Sequence, residues 1–283
     1  MSSRARRRLS AALVLLVSFV AAAVLVAGGD PGSGDAFPIV IEDSAERSVV
    51  EPPTTASVSP TTTADPAVPT TTVRPPAEHE TFVATIRPEI EAIWPTTEPG
   101  GGEYVDLEFR VTNPTFFGNP LALMVTDRTP DGEWLKVQIP VRPNGTEGWI
   151  PAKEADLSSH FVRAEVNLTE RSVRVWDGDE LIAETDAVVG KQSTPTPLGT
   201  FYVNDLVERF DGSAYGPYIL SLSGFSEVMD TFGGGVPVIA IHGTNRPELM
   251  GGAHSNGCIR IPNDVVRFLA ETVPMGTPVT ISA

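Results

Sequence analysis

Cysteine is the scarcest informative residue in this sequence, since Cys258 is the single cysteine among 283 residues. One thiol cannot form a disulfide within the chain, so it is either buried and inert or kept as a working thiol. Lysine is also rare, occurring only at positions 136, 153 and 191. The formal net charge of −16 argues against nucleic acid as a partner, because binding to phosphates requires basic surface. No glycine-rich phosphate loop is present.

The N-terminus contains a long uncharged run, from Leu9 to Ala27, that follows a cluster of arginines: Arg4, Arg6, Arg7 and Arg8. At about 1.5 Å per residue, this run can span the ~30 Å hydrocarbon core of a bilayer. It exceeds the roughly 7–15 apolar residues of a signal peptide, so we expect an uncleaved single-pass anchor within residues 1–29, with a cleaved signal peptide as the alternative. The arginines predict a cytoplasmic N-terminus, which leaves the rest of the chain outside the membrane.

Composition divides the remainder into three parts. Residues 30–77 are rich in Thr, Pro and Ser, and we expect a disordered linker because they bury too little apolar surface to fold. Residues 78–157 contain short alternating runs separated by turns, which is typical of a small β module. Residues 158–283 continue with a β meander and a single predicted helix, Asp264–Val273, for which Asn263 is the expected N-cap. We therefore predict a mainly β protein.

Residues 241–263 hold the residues best suited to chemistry, namely Cys258 and two of the four histidines, His242 and His254. A thiolate is a strong nucleophile, and a neighbouring imidazole can generate it near neutral pH. Gly257 lies beside the thiol without a side chain, so its N–H could stabilise an oxyanion. Two alternatives stay open: a buried, inert cysteine, and a zinc site made of the same three side chains, for which the usual ligand spacing is missing.

This segment resembles the active-site motif of the L,D-transpeptidase family of bacterial cell-wall enzymes. The motif is His-Gly-Thr-Asn, here residues 242–245, followed by Ser-x-Gly-Cys-hydrophobic-Arg-hydrophobic, here residues 255–261. Residues 189–201 resemble the second family signature, Thr-Pro-x-Gly-x-Phe. Many members carry histidine where this chain has Asn256, which leaves the role of His254 open. Residues 132–157 resemble bacterial SH3-like modules, which implies a small β-barrel before a β-sandwich-like catalytic domain with a short helix.

The resemblance implies a reaction and a set of roles. Cys258 would attack a donor stem tetrapeptide, His242 would act as general base, and release of D-Ala would leave a thioester that a second stem resolves as a 3→3 cross-link. Gly257 would supply the oxyanion N–H and Ser255 would support the loop. No cofactor or metal is expected. The expected substrate contacts are Arg260, Asn256, His254, Tyr218 and Thr244.

The same resemblance implies the location and the partners of the protein. We expect it in the cell envelope, acting on peptidoglycan stem peptides as donor and acceptor, with carbapenem-type β-lactams as inhibitors and residues 9–27 in the membrane. By the same resemblance, residues 211–235 would form a lid over the cleft. Two other functions stay open: an L,D-carboxypeptidase that trims stems with water, and a non-catalytic peptidoglycan-binding module.

Overall fold

Strands dominate the residues that this computed structural model describes, which are 37–39, 74–210 and 212–283. Their single α-helix is α1, Asn263–Thr272, and two short 3-10 turns cover Ala152–Glu154 and Pro247–Leu249. The strands are β1 Phe37–Ile39, β2 Thr81–Ile86, β3 Ala122–Arg128, β4 Trp134–Gln138, β5 Glu147–Pro151, β6 Ala155–His160, β7 Val162–Asn167, β8 Ser172–Asp177, β9 Glu180–Asp186, β10 Val189–Gly190, β11 Gly199–Glu208, β12 Tyr218–Phe225, β13 Val236–His242, β14 Ala253–Ser255, β15 Ile259–Arg260 and β16 Pro278–Ser282.

The first sheet has five antiparallel strands in the order β5-β4-β3-β2-β6. Its inward side chains form an apolar cluster around Leu123, Val137 and Ile150. Strand β6 crosses the predicted boundary at residues 157 and 158 and ends at His160. The described residues thus include a β module where one was expected, and its likeness to SH3 domains stays a prediction.

The second sheet follows the path β1-β13-β12-β11-β16-β7-β8-β9, and β15 pairs in parallel with β13. Side chains alternate between the two sides of a strand, so neighbouring residues in β12 and β13 have opposite surroundings. One side, here called the core face, carries Leu220, Ile241 and Ile259, which belong to the main hydrophobic cluster with α1 residues. The other side, here called the site face, carries Ile219 and its cross-strand partner His242.

The first sheet packs on the second through shared side chains. Tyr202 of β11 is fully buried within the apolar cluster of the first sheet, and its hydroxyl donates to the Gln138 carbonyl at 3.2 Å. Asn144 pairs with the backbone of Phe225 in both directions, at 2.9 Å each. The two sheets therefore share core residues and hydrogen bonds, and the described residues belong to one compact unit.

Helix α1 begins one residue earlier than predicted. Asn263 is its first residue and Pro262 occupies the N-cap position, so the predicted capping role of Asn263 is wrong. The Asn263 side chain instead accepts the Thr244 N–H at 2.7 Å, which ties the helix to the turn after His242.

The predicted anchor at residues 9–27 lies outside the described residues, as does most of the predicted linker at residues 30–77. No helix within the described ranges has the length and apolar character needed to cross a bilayer.

Candidate active site

His242 ends β13 and is fully buried on the site face. Its Nδ1 lies 2.6 Å from the Gly243 carbonyl oxygen, which can only accept, so Nδ1 carries the proton and Nε2 holds the lone pair. Among the described residues, Nε2 has no hydrogen-bond partner. Burial lowers the pKa of His242 to about 4, against the opposing effect of hydrogen bonds that the imidazole donates to the backbone of Gly243 and Tyr215. The imidazole is therefore neutral at pH 7, with an unoccupied basic nitrogen.

Cys258 immediately precedes β15 and is 0% exposed. Its Sγ lies 4.0 Å from the Val238 carbonyl oxygen. Burial raises the pKa of the thiol to about 12, and a backbone hydrogen bond from Ala240 acts in the opposite direction. The thiol is therefore protonated at pH 7, and reaction requires a base to remove its proton.

Parallel pairing of β13 and β15 places these two side chains together. Ile241 pairs with Ile259, and His242 pairs with Arg260. Continued by one residue, this register sets Cys258 beside Ala240, on the same side of the sheet as His242. The structure confirms this placement, because Cys258 clusters with Ala240 and Ile219; we call these three residues the cysteine cluster.

A hydrogen-bonded turn holds Cys258 in place. The Ser255 hydroxyl donates to the Cys258 carbonyl at 2.6 Å and accepts the Gly257 N–H at 3.1 Å. The loop-supporting role expected for Ser255 matches this geometry. The oxyanion role expected for Gly257 stays a prediction, and in this structure its N–H is donated to Ser255. Gly257 has φ +122°, a conformation that favours glycine.

The second signature braces the same turn, a role that the sequence reasoning missed. The Thr196 hydroxyl donates to the Gly257 carbonyl at 2.8 Å and accepts the Gly190 N–H at 2.9 Å. Lys191 Nζ donates to the Asn256 side-chain oxygen at 2.7 Å. A side chain at Gly190 would collide with the backbone of residues 194–196. Residues 189–196 therefore fit closely around the cysteine turn.

The residues expected to contact the substrate lie in different surroundings. Arg260 is buried on the site face beside His242, and the Asn256 side chain is engaged by Lys191. Thr244 is buried and shapes the turn, since its hydroxyl accepts the Arg246 N–H at 2.9 Å. His254 is exposed on β14.

Tyr218, an expected substrate contact, lies on the core face. It lies in β12, in the middle of the segment expected to form a lid, and its side chain packs against the core cluster on the face away from Cys258. The aromatic neighbour of His242 is Tyr215, whose ring lies 4.9 Å from the imidazole in an edge-to-face arrangement.

Three partly buried side chains pack against the cysteine cluster: Phe117, Val207 and Tyr215. Phe117 lies between β2 and β3 of the first sheet. Its position at the site therefore cannot be predicted from residues 158–283 alone. In the part of the chain that the structure describes, no group of three His, Cys, Asp or Glu side chains is placed to hold a metal ion.

Known structures provide one comparison. The L,D-transpeptidase of Enterococcus faecium is 28% identical, covering 43% of this chain and 49% of that chain, with a TM-score of 0.34. An L,D-transpeptidase from Mycobacterium smegmatis is 16% identical, covering 72% and 99% of the two chains, with a TM-score of 0.36. Both TM-scores are low, so neither structure carries an argument about this chain.

Sequence comparison gives closer relatives. The YkuD protein of Bacillus licheniformis is 38% identical over 120 residues, which are 42% of this chain and 65% of that protein. The YkuD protein of Bacillus subtilis is 45% identical over 94 residues, 33% of this chain and 49% of that protein. The chain thus spans about half to two thirds of the length of the curated relatives it matches. Residues 162–281 match the YkuD model, which describes the L,D-transpeptidase catalytic domain, and this range contains both motifs found in the sequence.

Proposed function

We propose that this chain is an L,D-transpeptidase that forms 3→3 peptidoglycan cross-links through a thioester on Cys258. The observation that carries the proposal is the placement of a buried thiol and a neutral imidazole on one face of the sheet, with the His242 Nε2 lone pair unoccupied among the described residues. A thiol next to a positioned base is the arrangement that nucleophilic acyl transfer requires. The match of residues 162–281 to the catalytic-domain family supports the same reaction.

The reaction proceeds in two steps, acylation of Cys258 by the donor stem and transfer of the acyl group to the acceptor stem. His242 Nε2 takes the thiol proton as Sγ attacks the carbonyl carbon of the bond before the terminal D-Ala. That C–N bond breaks, the imidazolium returns the proton to the leaving amine, and a thioester remains. An amine of a second stem then attacks the thioester, its proton passes to His242, and the thiol is restored.

The cysteine cluster and the side chains packed against it give Cys258 apolar surroundings. Apolar surroundings hold little water, which favours transfer of the acyl group to an amine over hydrolysis. We propose further that residues 9–27 anchor the chain, which would place the site in the cell envelope with peptidoglycan stems as donor and acceptor.

Mass spectrometry of the full-length chain with a disaccharide-tetrapeptide tests the proposal, with Cys258→Ala as the matched control. We expect a cross-linked dimer that lacks one D-Ala, absent with the variant, and a carbapenem adduct on wild type alone. A tripeptide product without dimer would indicate carboxypeptidase activity. Unchanged substrate with both proteins would contradict the proposal and favour a peptidoglycan-binding module.

A further inference from the structure

The segment before β3, residues 112–120, forms a rigid loop with two adjacent phenylalanines; we call it the aromatic loop. The buried Asn113 side chain fixes its base, donating to the Arg87 and Ile90 carbonyls at 3.0 Å each and accepting the Leu121 N–H at 2.9 Å. Within the loop, the Thr115 N–H donates to the Asn119 carbonyl at 2.8 Å. The loop is therefore held as a defined structure of the first sheet.

The tip of the aromatic loop is fastened to the second sheet. The Asn119 side chain donates to the Asp205 carboxylate and, at 3.0 Å, to the Leu206 carbonyl. Asp205 is only 2% exposed, and burial raises its pKa, with an opposing hydrogen bond from Asn119. Because a buried carboxyl group needs hydrogen-bond partners, these contacts hold the loop on the site face.

The two phenylalanines of the loop have different surroundings. Phe117 packs against the cysteine cluster, whereas Phe116 is 61% exposed beside it, with the two rings edge to face at 5.1 Å. Phe116 therefore exposes apolar surface next to the ring that packs against the cysteine cluster.

Substrate access to Cys258 requires part of its cover to move, because the thiol is fully buried. Three side chains pack over the cysteine cluster. Val207 is held within β11 by ladder hydrogen bonds to β12, whereas Phe117 and Tyr215 lie in loops and can change rotamer. A displaced Phe117 ring would then line the opening next to Phe116.

We propose that the aromatic loop forms one wall of the donor site, an inference that rests on the proposed transpeptidase function. Phe117 covers the thiol when the site is empty, and both rings pack against the aliphatic parts of the bound stem peptide. The first sheet is therefore part of the substrate site, beyond its role as a neighbouring module.

Phe117→Ala tests the inference because two independent measurements, the alkylation rate of Cys258 and the KM for the donor, should both rise. The rate at which iodoacetamide alkylates Cys258 should rise several-fold, since the cover is lost. The KM for a disaccharide-tetrapeptide should rise about tenfold, from the loss of much of a phenylalanine contact. General loosening of the fold would lower kcat and the melting temperature together, which we do not expect.

Three further variants make the result specific. Phe116→Ala should raise the donor KM without changing the alkylation rate, because Phe116 does not cover the thiol. Trp94→Ala, at an exposed aromatic of the first sheet that pairs with Tyr104, should change neither measurement. Phe117→Leu keeps an apolar cover and should fall between wild type and Phe117→Ala, which also provides a reading if the alanine variant does not fold.

The transpeptidase function and the role of the aromatic loop can be contradicted by different results. Wild-type protein that makes neither dimer nor tripeptide would contradict the proposed function, while alkylation would still report on the cover. Active wild type with unchanged KM and alkylation rate in the folded Phe117 variants would overturn the inference about the aromatic loop.

Discussion

The two faces of strands β12 and β13 use the same backbone for different purposes. On the core face, Leu220 and Ile241 belong to the continuous aliphatic cluster that includes residues of α1. On the site face, Ala240 and His242 lie beside a thiol under loops from both sheets. Because side chains alternate, adjacent residues separate stability from chemistry. The predictions below test that separation.

The largest expected effect belongs to His242→Gln, which keeps a buried polar side chain and removes the basic nitrogen. We expect kcat for transpeptidation to fall by about 10²–10⁴, the usual contribution of a general base. The melting temperature should change by only a few degrees, since the core face is untouched. Steady-state kinetics and thermal unfolding check this pair of outcomes, and activity within a few-fold of wild type would show that His242 is not the base.

The neighbouring substitution, Ile241→Ala, should have the reverse profile. Removing this fully buried side chain should lower the free energy of unfolding by about 2–5 kcal/mol, and Ile241→Val by about 0.5–1.5 kcal/mol. The specific activity of the folded fraction should stay near that of wild type. Urea unfolding with parallel activity assays measures both quantities. A large activity loss in stably folded Ile241→Val would mean that the two faces are not independent.

The two faces should also differ, by a smaller amount, in how they make stability depend on pH. His242 and Cys258 on the site face are titratable, whereas Leu220 and Ile241 on the core face are not. The pKa of His242 is lowered to about 4, so the unfolded chain binds a proton between pH 6.5 and 4 that the folded chain does not. Its contribution to stability is complete above pH 6.5 and falls by at most about 3 kcal/mol as pH drops to 4. The lowered pKa of His160 acts in the same direction.

Above neutral pH, rising pH lowers stability instead of raising it. The pKa of Cys258 is raised to about 12, so the folded chain keeps a proton that the unfolded chain loses. Stability should therefore decline as pH rises from about 9 towards 12. Thermal unfolding across pH should show a weaker acid decline in His242→Gln and a weaker alkaline decline in Cys258→Ala. Identical profiles in wild type and both variants would contradict these assignments.

Local patterns predicted much of the second sheet and the identity of the candidate pair. The apolar run of β13, the helix near residue 264 and the two motifs are all readable from spacing and residue type. Alternation within β13 also separates His242 from Ile241 without any knowledge of the fold. The similarity of residues 162–281 to the L,D-transpeptidase catalytic domain agrees with the interpretation of the motifs.

Contacts between distant segments could not be read in the same way. The Thr196–Gly257 hydrogen bond joins residues 61 positions apart and depends on how the turn and the second signature meet. Asn263 has the residue type of a helix cap, yet it binds the backbone of Thr244 across the site. Phe117 reaches the cysteine cluster only because the first sheet packs on the site face. Each of these follows from sheet packing, which local spacing does not specify.

The parallel pairing of β13 with β15 has a consequence for how this site can vary. Parallel neighbours need a long crossover, and here residues 243–258 supply it between His242 and β15. Sheet register, and not the length of that crossover, sets the spacing of the imidazole and the thiol. Exposed positions around Arg246 and Glu248 can therefore accept insertions or deletions while the pair keeps its geometry, which gives natural variation and engineering a place to reshape the rim of the site.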